Sequence, residues 1–341
     1  MVRIKDIADH VGVSTATVSN VIHGKAHRVS AETRKKIEDA IKEMGYVPSM
    51  SGLMLAQKRS NIIGVILFGR DVSKEPALAD PYYSSLIGHL DRYIREKERY
   101  MLLLTVSDTE AIIQQVRSWN LDGLIACDLP KDCLHRLHQC CDKPMVSLDA
   151  YLEYRSEYVN IMTDDLNGGY QMGNYLLSMG HRKILMVTDD GYEPSRQRWL
   201  GFQKALKKYG APASEAQHLI LSGQYGDRME QLMQQQERIR EQTALFFSSD
   251  QYALEAFSIL REMGLRVPED ISVVGFNDLL YAELAQPKLT TMHQDIEQKA
   301  QLAVDALFCL MKGKKTRDWI LPVKLIQRGS VRRIGNWKYI R

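Results

Sequence analysis

The sequence predicts an N-terminal head of three short helices, followed by an α/β core of two doubly wound lobes. Three observations lead to this fold class. Residues 1–47 show only helical periodicity, residues 61–331 alternate between apolar strand-like runs and amphipathic helices, and residues 48–60 have no apolar partner in the head. The length of 341 residues is enough for two or three folding units.

The head carries the capping and periodicity signals of three helices. Ser14 and Ser30 are suited to cap the second and third helices, and Gly45 supplies a C-terminal stop. The apolar residues of the first helix fall on one face, at Ile4, Ile7, Ala8 and Val11. We therefore expect a small helical unit with a small core.

The core begins at Asn61, where the character of the sequence changes. Apolar runs such as residues 62–69, 183–190 and 271–278 are typical of buried parallel strands, and amphipathic helical segments lie between them. About nine such units are too many for one small sheet, so they indicate two lobes with a cleft between them. Ligands bind at the carboxyl ends of strands in such sheets, and several strands here end in polar residues.

The charges are unevenly distributed along the chain. Residues 1–60 contain ten Lys or Arg and six Asp or Glu, a balance of +4, whereas the whole chain carries +3. The basic excess therefore lies in the head and its linker, which indicates a polyanionic partner there.

Several classes of protein are disfavoured by what the sequence lacks. The N-terminus has no apolar signal region and no run of 18 apolar residues occurs, so we expect a cytoplasmic protein without a membrane span. Phosphate-loop, H-E-x-x-H and G-x-S-x-G motifs are absent, so we expect neither an enzyme nor a cofactor. The Cys/His cluster at residues 133–141 would turn its thiols and imidazoles to different helix faces, so we expect a buried thiol face and no metal.

The head and the core both carry motifs of one known family. The segment VSTATVSNVI at residues 13–22 combines a turn, a capped helix and outward polar positions. Further landmarks follow in order, namely GHRKI at 180–184, RWLGF at 198–202, ISVVGFND at 271–278, PKLTT at 287–291 and RGS at 328–330. With these motifs the chain resembles the LacI/GalR repressors over about residues 2–331.

The resemblance implies a division of the chain into modules. These are a helix-turn-helix DNA-binding domain at 1–47, a hinge helix at 48–60, and a periplasmic-binding-protein-like ligand-binding and dimerisation domain at 61–331. A basic tail at 332–341 runs past the family core. Lobe 1 of the core would comprise about 61–160 and 292–320, and lobe 2 about 161–291 and 321–331. In the hinge, Leu55 matches the leucine that enters the minor groove of the operator.

The resemblance assigns DNA contacts to the second helix of the head. Thr15, Ala16 and Asn20 would read base edges, and Asn20 can pair bidentately with adenine. The short hydroxyls of Ser14 and Thr17 suit phosphate oxygens. Two such heads in a homodimer would bind the halves of a pseudo-palindromic operator.

The resemblance also places seven side chains on the cleft. Arg198 would hold ligand hydroxyls or carboxylates through its planar fork. The others are Asp149, Ser249, Asn277, Tyr82, Tyr83 and Tyr225. Two alternatives stay open, because a tyrosine pair at a helix start is often partial core and an aspartate after a strand often caps the next helix. Ser249 and Asn277 stand where many relatives carry Asn and Asp, which leaves the identity of the ligand open.

These features predict a sequence-specific repressor whose operator affinity is controlled by a small molecule, a sugar or sugar derivative, bound between the lobes. Closure of the cleft around the ligand would change the spacing of the hinge helices. One alternative is a nucleobase-type corepressor on the same scaffold. Another is a free sugar-binding transport protein, which the attached head and the lack of a signal peptide disfavour.

Overall fold

The chain divides into two compact units, an N-terminal one that holds the head and a larger one that holds both lobes. A computed structural model describes residues 2–23, 29–47, 60–68, 76–106, 108–151, 158–189, 193–211, 214 and 217–335. The expected hinge residue Leu55 and residues 336–341 of the expected tail lie outside these ranges. Within the described ranges, no helix is long and apolar enough to cross a membrane.

The head contains the three predicted helices, α1 (Ile4–Val11), α2 (Thr15–Ile22) and α3 (Ala31–Glu43). Gly12 ends α1 with a left-handed backbone, φ 72°, and turns the chain towards α2. Ser14 and Ser30 cap α2 and α3, and each side chain accepts a backbone N–H three residues later at 3.2 Å. The small core consists of Ile7, Ala8, Val18, Ile37 and Ala40.

The first lobe is built on a six-stranded sheet. Its strands are β1 (Ile62–Phe68), β2 (Tyr100–Val106), β3 (Gly123–Cys127), β4 (Met145–Leu148), β5 (Val159–Thr163) and β11 (Trp319–Leu321). They lie in the order β11-β5-β4-β3-β1-β2. Its helices are α4 (Pro81–Glu96), α5 (Thr109–Ser118), α6 (Lys131–Cys140) and α13 (Ile296–Met311). The pairings of β1 with β3, β3 with β4, β4 with β5 and β5 with β11 are parallel, as strands alternating with helices predict.

The buried thiol face expected on α6 is wrong in part. Cys133 is buried beside Leu134, but Cys140 is exposed at the last residue of the helix. No group of three His, Cys, Asp or Glu side chains among the described residues has a geometry that could hold a metal ion.

The second lobe is built on a four-stranded parallel sheet with the order β7-β6-β8-β9. Its strands are β6 (Ile184–Asp189), β7 (His218–Leu221), β8 (Ala244–Phe247) and β9 (Ser272–Val274). Its helices are α7 (Asp165–Ser178), α8 (Glu193–Lys208), α9 (Tyr225–Gln234), α10 (Gln236–Arg240), α11 (Asp250–Glu262) and α12 (Leu280–Leu284). The first residues of the expected tail, 332–335, follow this lobe directly. The backbone N–H of Ile334 donates to the carbonyl of Met179 at 2.8 Å.

An antiparallel pair, β10 (Thr291–Gln294) and β12 (Val323–Ile326), adjoins the second sheet. The backbone N–H of Gly275 donates to the carbonyl of Thr290 at 3.0 Å, and the N–H of Asn277 donates to that of Met292 at 2.8 Å. These bonds attach β10 to the chain that leaves β9, so the pair belongs with the second lobe.

The chain crosses between the lobes three times, after Thr163, after Gln294 and after Leu321. The resemblance implies crossings near residues 161, 291 and 320. The observed first crossing lies two residues later than implied, because β5 continues to Thr163 in the first sheet. The second lies three residues later, because β10 continues to Gln294 beside the second sheet. All three crossings therefore follow the last residue of a strand.

Helices α7 and α8 of the second lobe cross in close contact at two glycines. A Cβ added to Gly169 would lie 1.9 Å from the carbonyl oxygen of Arg198, and one added to Gly201 would lie 1.9 Å from that of Leu166. Both obstacles are backbone atoms, which cannot move aside as a side chain can. The glycines thereby let the backbone around Arg198 lie directly against α7.

Gly201→Ala is expected to lower the free energy of unfolding by roughly 2–3 kcal/mol, because the methyl group would overlap the backbone of α7. The matched control is Gly88→Ala in the middle of α4, where no atom lies within 4 Å of the added Cβ. That variant is expected to gain about 0.5–1 kcal/mol from helix propensity. Urea unfolding of both variants measures the difference, and equal effects would contradict the close crossing.

Candidate functional site

A cleft of about 390 Å³ lies between the lobes, within the size range of small-molecule sites. Its lining includes residues at or just after the ends of strands in both lobes, such as Phe68, Asp128 and Asp189. Six of the seven side chains predicted for the cleft line it, namely Arg198, Asp149, Ser249, Asn277, Tyr82 and Tyr83.

Tyr225 is the seventh predicted residue, and the structure does not bring it into the cleft. Its side chain is 51% exposed at the first position of α9. The two residues before it, Gly223 and Gln224, line the cleft instead. The loop rather than the helix approaches the cavity, and Tyr225 is not among the residues that line it.

On the first lobe, Asp149 is buried and its backbone is left-handed, with φ 52°. Its Oδ1 accepts the backbone N–H of Thr163 at 3.0 Å. Its Oδ2 accepts from Nζ of Lys299 at 2.6 Å and from the hydroxyl of Tyr82 at 3.2 Å. Asp149 is therefore held by three donors rather than used as a helix cap.

The two tyrosines of α4 have different surroundings. Tyr82 is 6% exposed and packs in the core of the first lobe while its ring also lines the cleft. Tyr83 is half-buried and its hydroxyl donates to Oδ2 of Asp128 at 2.9 Å. The rings meet edge to face at 5.2 Å, so Tyr82 fixes the ring that Tyr83 offers to the cleft.

On the second lobe, Arg198 is 5% exposed and its guanidinium already has protein partners. Nε donates to Oδ1 of Asp165 at 2.7 Å, and Nη1 donates to the carbonyl of Ser248. The guanidinium carbon lies 3.7 Å from the centre of the Phe276 ring. The planar group is thus locked in place before any ligand arrives, with its charge balanced by a buried carboxylate.

Ser249 and Asn277 are likewise held by neighbours. Ser249 caps α11, and its side chain accepts the backbone N–H of Tyr252 at 3.2 Å. Asn277 has a backbone φ of 119°, and its Oδ1 accepts from Nε2 of Gln294 at 2.7 Å. Both side chains are therefore placed by the fold of the second lobe.

Further lining residues were not among those predicted. Asp189 at the end of β6 accepts from the hydroxyls of Ser195 at 2.6 Å and Tyr252 at 3.1 Å. Arg228 forms a two-pronged ion pair with Glu255 at 2.7 and 2.8 Å. The strand-end position of Asp189 was a usable signal, whereas nothing near Arg228 in the sequence shows that it reaches the cleft.

Asp80 caps α4 from the first lobe, and its Oδ1 accepts the backbone N–H of Tyr82 at 2.8 Å. Burial raises the pKa of Asp80 to about 6, and the nearby carboxylates of Asp189 and Glu255 raise it too. The Tyr82 hydrogen bond and the charge of Arg228 oppose the rise in pKa. Carboxylates of the two lobes thus repel each other across the cleft when Asp80 is ionised.

On the head, α2 presents the predicted DNA contacts at its N-terminal end. Thr15 and Ala16 are exposed in the first turn, and Asn20 is half-buried one turn later. The hydroxyls of Ser14 and Thr17 share a hydrogen bond of 2.9 Å. They stand beside the free backbone N–H groups of the helix start, which is a favourable place for a phosphate.

Asp80→Asn is expected to flatten the pH dependence of unfolding between pH 4 and 7. The folded pKa of about 6 lies above the unfolded value near 3.9, so the unfolding free energy of the native chain falls as pH rises through this window. At pH 7.5 the variant should be more stable by on the order of 2 kcal/mol, with no advantage at pH 4. Urea unfolding at both pH values measures this, and an equal difference at both would show that folding does not raise the pKa of Asp80.

Comparisons with known proteins agree with this geometry. Residues 3–49 match the model of bacterial regulatory proteins of the lacI family, and residues 174–331 match that of a periplasmic binding protein-like domain. The HTH-type transcriptional repressor PurR of Photorhabdus laumondii subsp. laumondii is 31% identical over 346 residues, covering 97% of each chain. PurR of Pectobacterium carotovorum subsp. carotovorum is also 31% identical, with 97% of each chain covered.

Solved structures show the same relationship. The lac repressor dimer bound to operator and the anti-inducer ONPF superposes with a TM-score of 0.84 at 28% identity, covering 97% of this chain and 99% of that one. The transcriptional regulator CelR–cellobiose complex superposes with a TM-score of 0.71 at 27% identity, covering 97% and 100%. The chain belongs to the lacI family of DNA-binding transcriptional regulators, with a helix-turn-helix head and a two-lobed periplasmic-binding-protein-like core.

Proposed function

We propose that this chain is a homodimeric transcriptional repressor whose operator affinity is set by an uncharged sugar bound in the cleft between the lobes. The cleft binds and does not transform its ligand. We infer an uncharged ligand from the charge of the cleft lining, because its guanidinium groups are already paired with carboxylates of the protein.

The balance of charge in the cleft disfavours an anionic effector. Five carboxylates line it, from Asp80, Asp128, Asp149, Asp189 and Glu193, and of these Asp149 is paired with Lys299 behind the wall. The cations in the lining are Lys131, Arg198 and Arg228, and the two arginines are paired with Asp165 and Glu255. A sugar phosphate or sugar acid would bring a further negative charge into this environment at a large desolvation cost.

The remaining lining groups suit a polyhydroxylated ring. Ser195, Gln251 and Asn277 offer hydroxyl and amide groups, while Tyr83 and Tyr252 offer aromatic surface. Carboxylates and paired guanidinium groups exchange hydrogen bonds readily with neutral hydroxyls. Among related structures, one carries cellobiose and another, from Enterococcus faecium at 26% identity, carries ribose.

A second copy of the chain fits the exposed apolar side chains of α12. Leu280, Tyr281 and Leu284 are exposed by 69%, 55% and 63%. Three apolar side chains on one five-residue helix are a feature of association surfaces. A two-fold dimer built on this surface would present two heads to a two-fold operator.

Thermal unfolding of the full chain against cellobiose, ribose, their phosphates, sugar acids and nucleobases is expected to show stabilisation by a neutral sugar. A ligand at about 100 times its Kd adds about 2.7 kcal/mol to the unfolding free energy. Arg198→Lys should abolish the shift, since lysine cannot keep the planar contacts to Asp165 and Ser248. Tyr225→Ala, outside the cleft, should keep it.

The outcomes of this panel separate the alternatives. A shift with a nucleobase alone would support the corepressor alternative. A shift confined to phosphates or acids would show that the charge argument is wrong.

Asn20→Ala is expected to relax base preference at one position of each operator half-site, with a loss of about 1–3 kcal/mol on the preferred sequence. Thr17→Val should instead weaken binding uniformly across sequences, because we assign its hydroxyl to a phosphate rather than to a base edge. Selection from random DNA followed by sequencing measures both, and the recovered site should be two-fold symmetric. An unaltered preference for Asn20→Ala, or an asymmetric single site, would contradict the proposed head or the proposed dimer.

A further inference from the structure

A buried polar cluster lies where the chain crosses between the lobes. Thr163 ends β5 at the first crossing, and its hydroxyl donates to Oε1 of Gln294 at 2.8 Å. Gln294 ends β10 at the second crossing and is 3% exposed. The backbone N–H of Asp164 donates to the carbonyl of Leu321 at 2.9 Å, which adds the third crossing. The relative orientation of the lobes is therefore set within this cluster.

Lys299 supplies the one ammonium group described in the cluster. It lies on α13 with 1% of its surface exposed. Nζ donates to Oδ2 of Asp149 at 2.6 Å, to the hydroxyl of Tyr82 at 3.0 Å and to Oε1 of Gln294 at 3.2 Å. These three bonds use the three donors of a lysine ammonium.

The network of Lys299 continues into the second lobe. Gln294 accepts from Lys299 and Thr163 through Oε1 and donates through Nε2 to Oδ1 of Asn277 at 2.7 Å. Tyr82 and Asp149 form part of the cleft wall on the first lobe, and Asn277 forms part of it on the second. A continuous hydrogen-bonded path thus joins the two walls through the crossing strand.

Stability alone does not account for a lysine at this position. A buried ion pair loses much of its attraction to desolvation, and apolar residues of similar volume often serve stability equally well. Buried networks with every donor and acceptor used do fix one arrangement of their members, because each bond polarises the next. The contribution of Lys299 is therefore the geometry of the cleft walls.

We propose that Lys299 is a positioning residue for effector binding, which holds Tyr82 and Asp149 of one lobe in register with Asn277 of the other through Gln294. The proposal rests on the proposed function in one respect, namely that the cleft binds the effector. A ligand that contacts either wall then acts on the bonds at the crossing, where the orientation of the lobes is set.

The test uses the full chain without ligand and compares Tyr82→Phe with Tyr83→Phe. Each removes one tyrosine hydroxyl from the first-lobe wall, but only Tyr82 bonds to Lys299, whereas Tyr83 bonds to Asp128. The readout is the hydrogen exchange rate of the backbone amide of Asn277 on the second lobe, whose N–H donates to the carbonyl of Met292. Tyr82→Phe should speed it on the order of fivefold, the loss expected for one hydrogen bond, and Tyr83→Phe should leave it unchanged.

A second pair of variants tests Lys299 itself. Lys299→Met combined with Asp149→Asn removes both charges of the ion pair, and asparagine tolerates the left-handed backbone of position 149. In this background Tyr82→Phe should no longer change exchange at Asn277. Equal effects of Tyr82→Phe and Tyr83→Phe in the native background, or an effect that persists without Lys299, would overturn the proposal. Because no ligand is used, these results do not depend on the outcome of the effector panel.

Discussion

The parallel pairing of β11 with β5 is the constraint on which the two-lobed architecture depends. It joins Trp319–Leu321 to Ile161–Thr163, so the chain that has come back from the second lobe as α13 is held in the first sheet before it crosses a third time. The pairing also places the third crossing beside the first, while the Thr163–Gln294 bond draws in the second. Three adjacent connections permit rotation of the lobes about one region and resist other movements.

The cleft above this region is organised by charges that are paired before a ligand binds. Arg198 with Asp165, Arg228 with Glu255, and Lys299 with Asp149 each place a cation against a buried or nearly buried carboxylate. Such pairs contribute little net stability, but they keep polar groups in fixed orientations and lower the cost of ordering them around a ligand. Asp80 differs, since burial makes its charged form unfavourable and leaves it sensitive to pH.

The parts of the fold that could be predicted are those governed by local rules. The head follows from helix caps at Ser14 and Ser30 and from apolar spacing, and the lobes follow from strands that alternate with helices. Six cleft residues follow from strand ends and family motifs. Tyr225 lies outside the lining although its neighbour Gln224 is part of it, and the sequence does not show which of two adjacent residues at a helix start faces a cavity.

Residues missed by sequence reasoning depend on contacts between distant parts of the chain. A lysine in an amphipathic helix is ordinarily exposed, and the partner that buries Lys299 lies 150 residues earlier. Arg198 was predicted to line the cleft, but its sequence position does not show that Asp165 and the carbonyl of Ser248 accept two hydrogen bonds from its guanidinium. Only the tertiary structure shows which charges are neutralised, and the proposal of a neutral effector rests on that distinction.

Occupation of the cleft and operator binding are proposed to be coupled, and fluorescence anisotropy of the full chain on its selected two-fold operator measures this coupling. We expect saturation with the stabilising sugar to change operator affinity by about 5- to 150-fold, the usual range of allosteric coupling. Arg198→Lys should bind operator normally and ignore the sugar. Operator affinity that stays the same at saturating sugar would show that the two sites are not coupled.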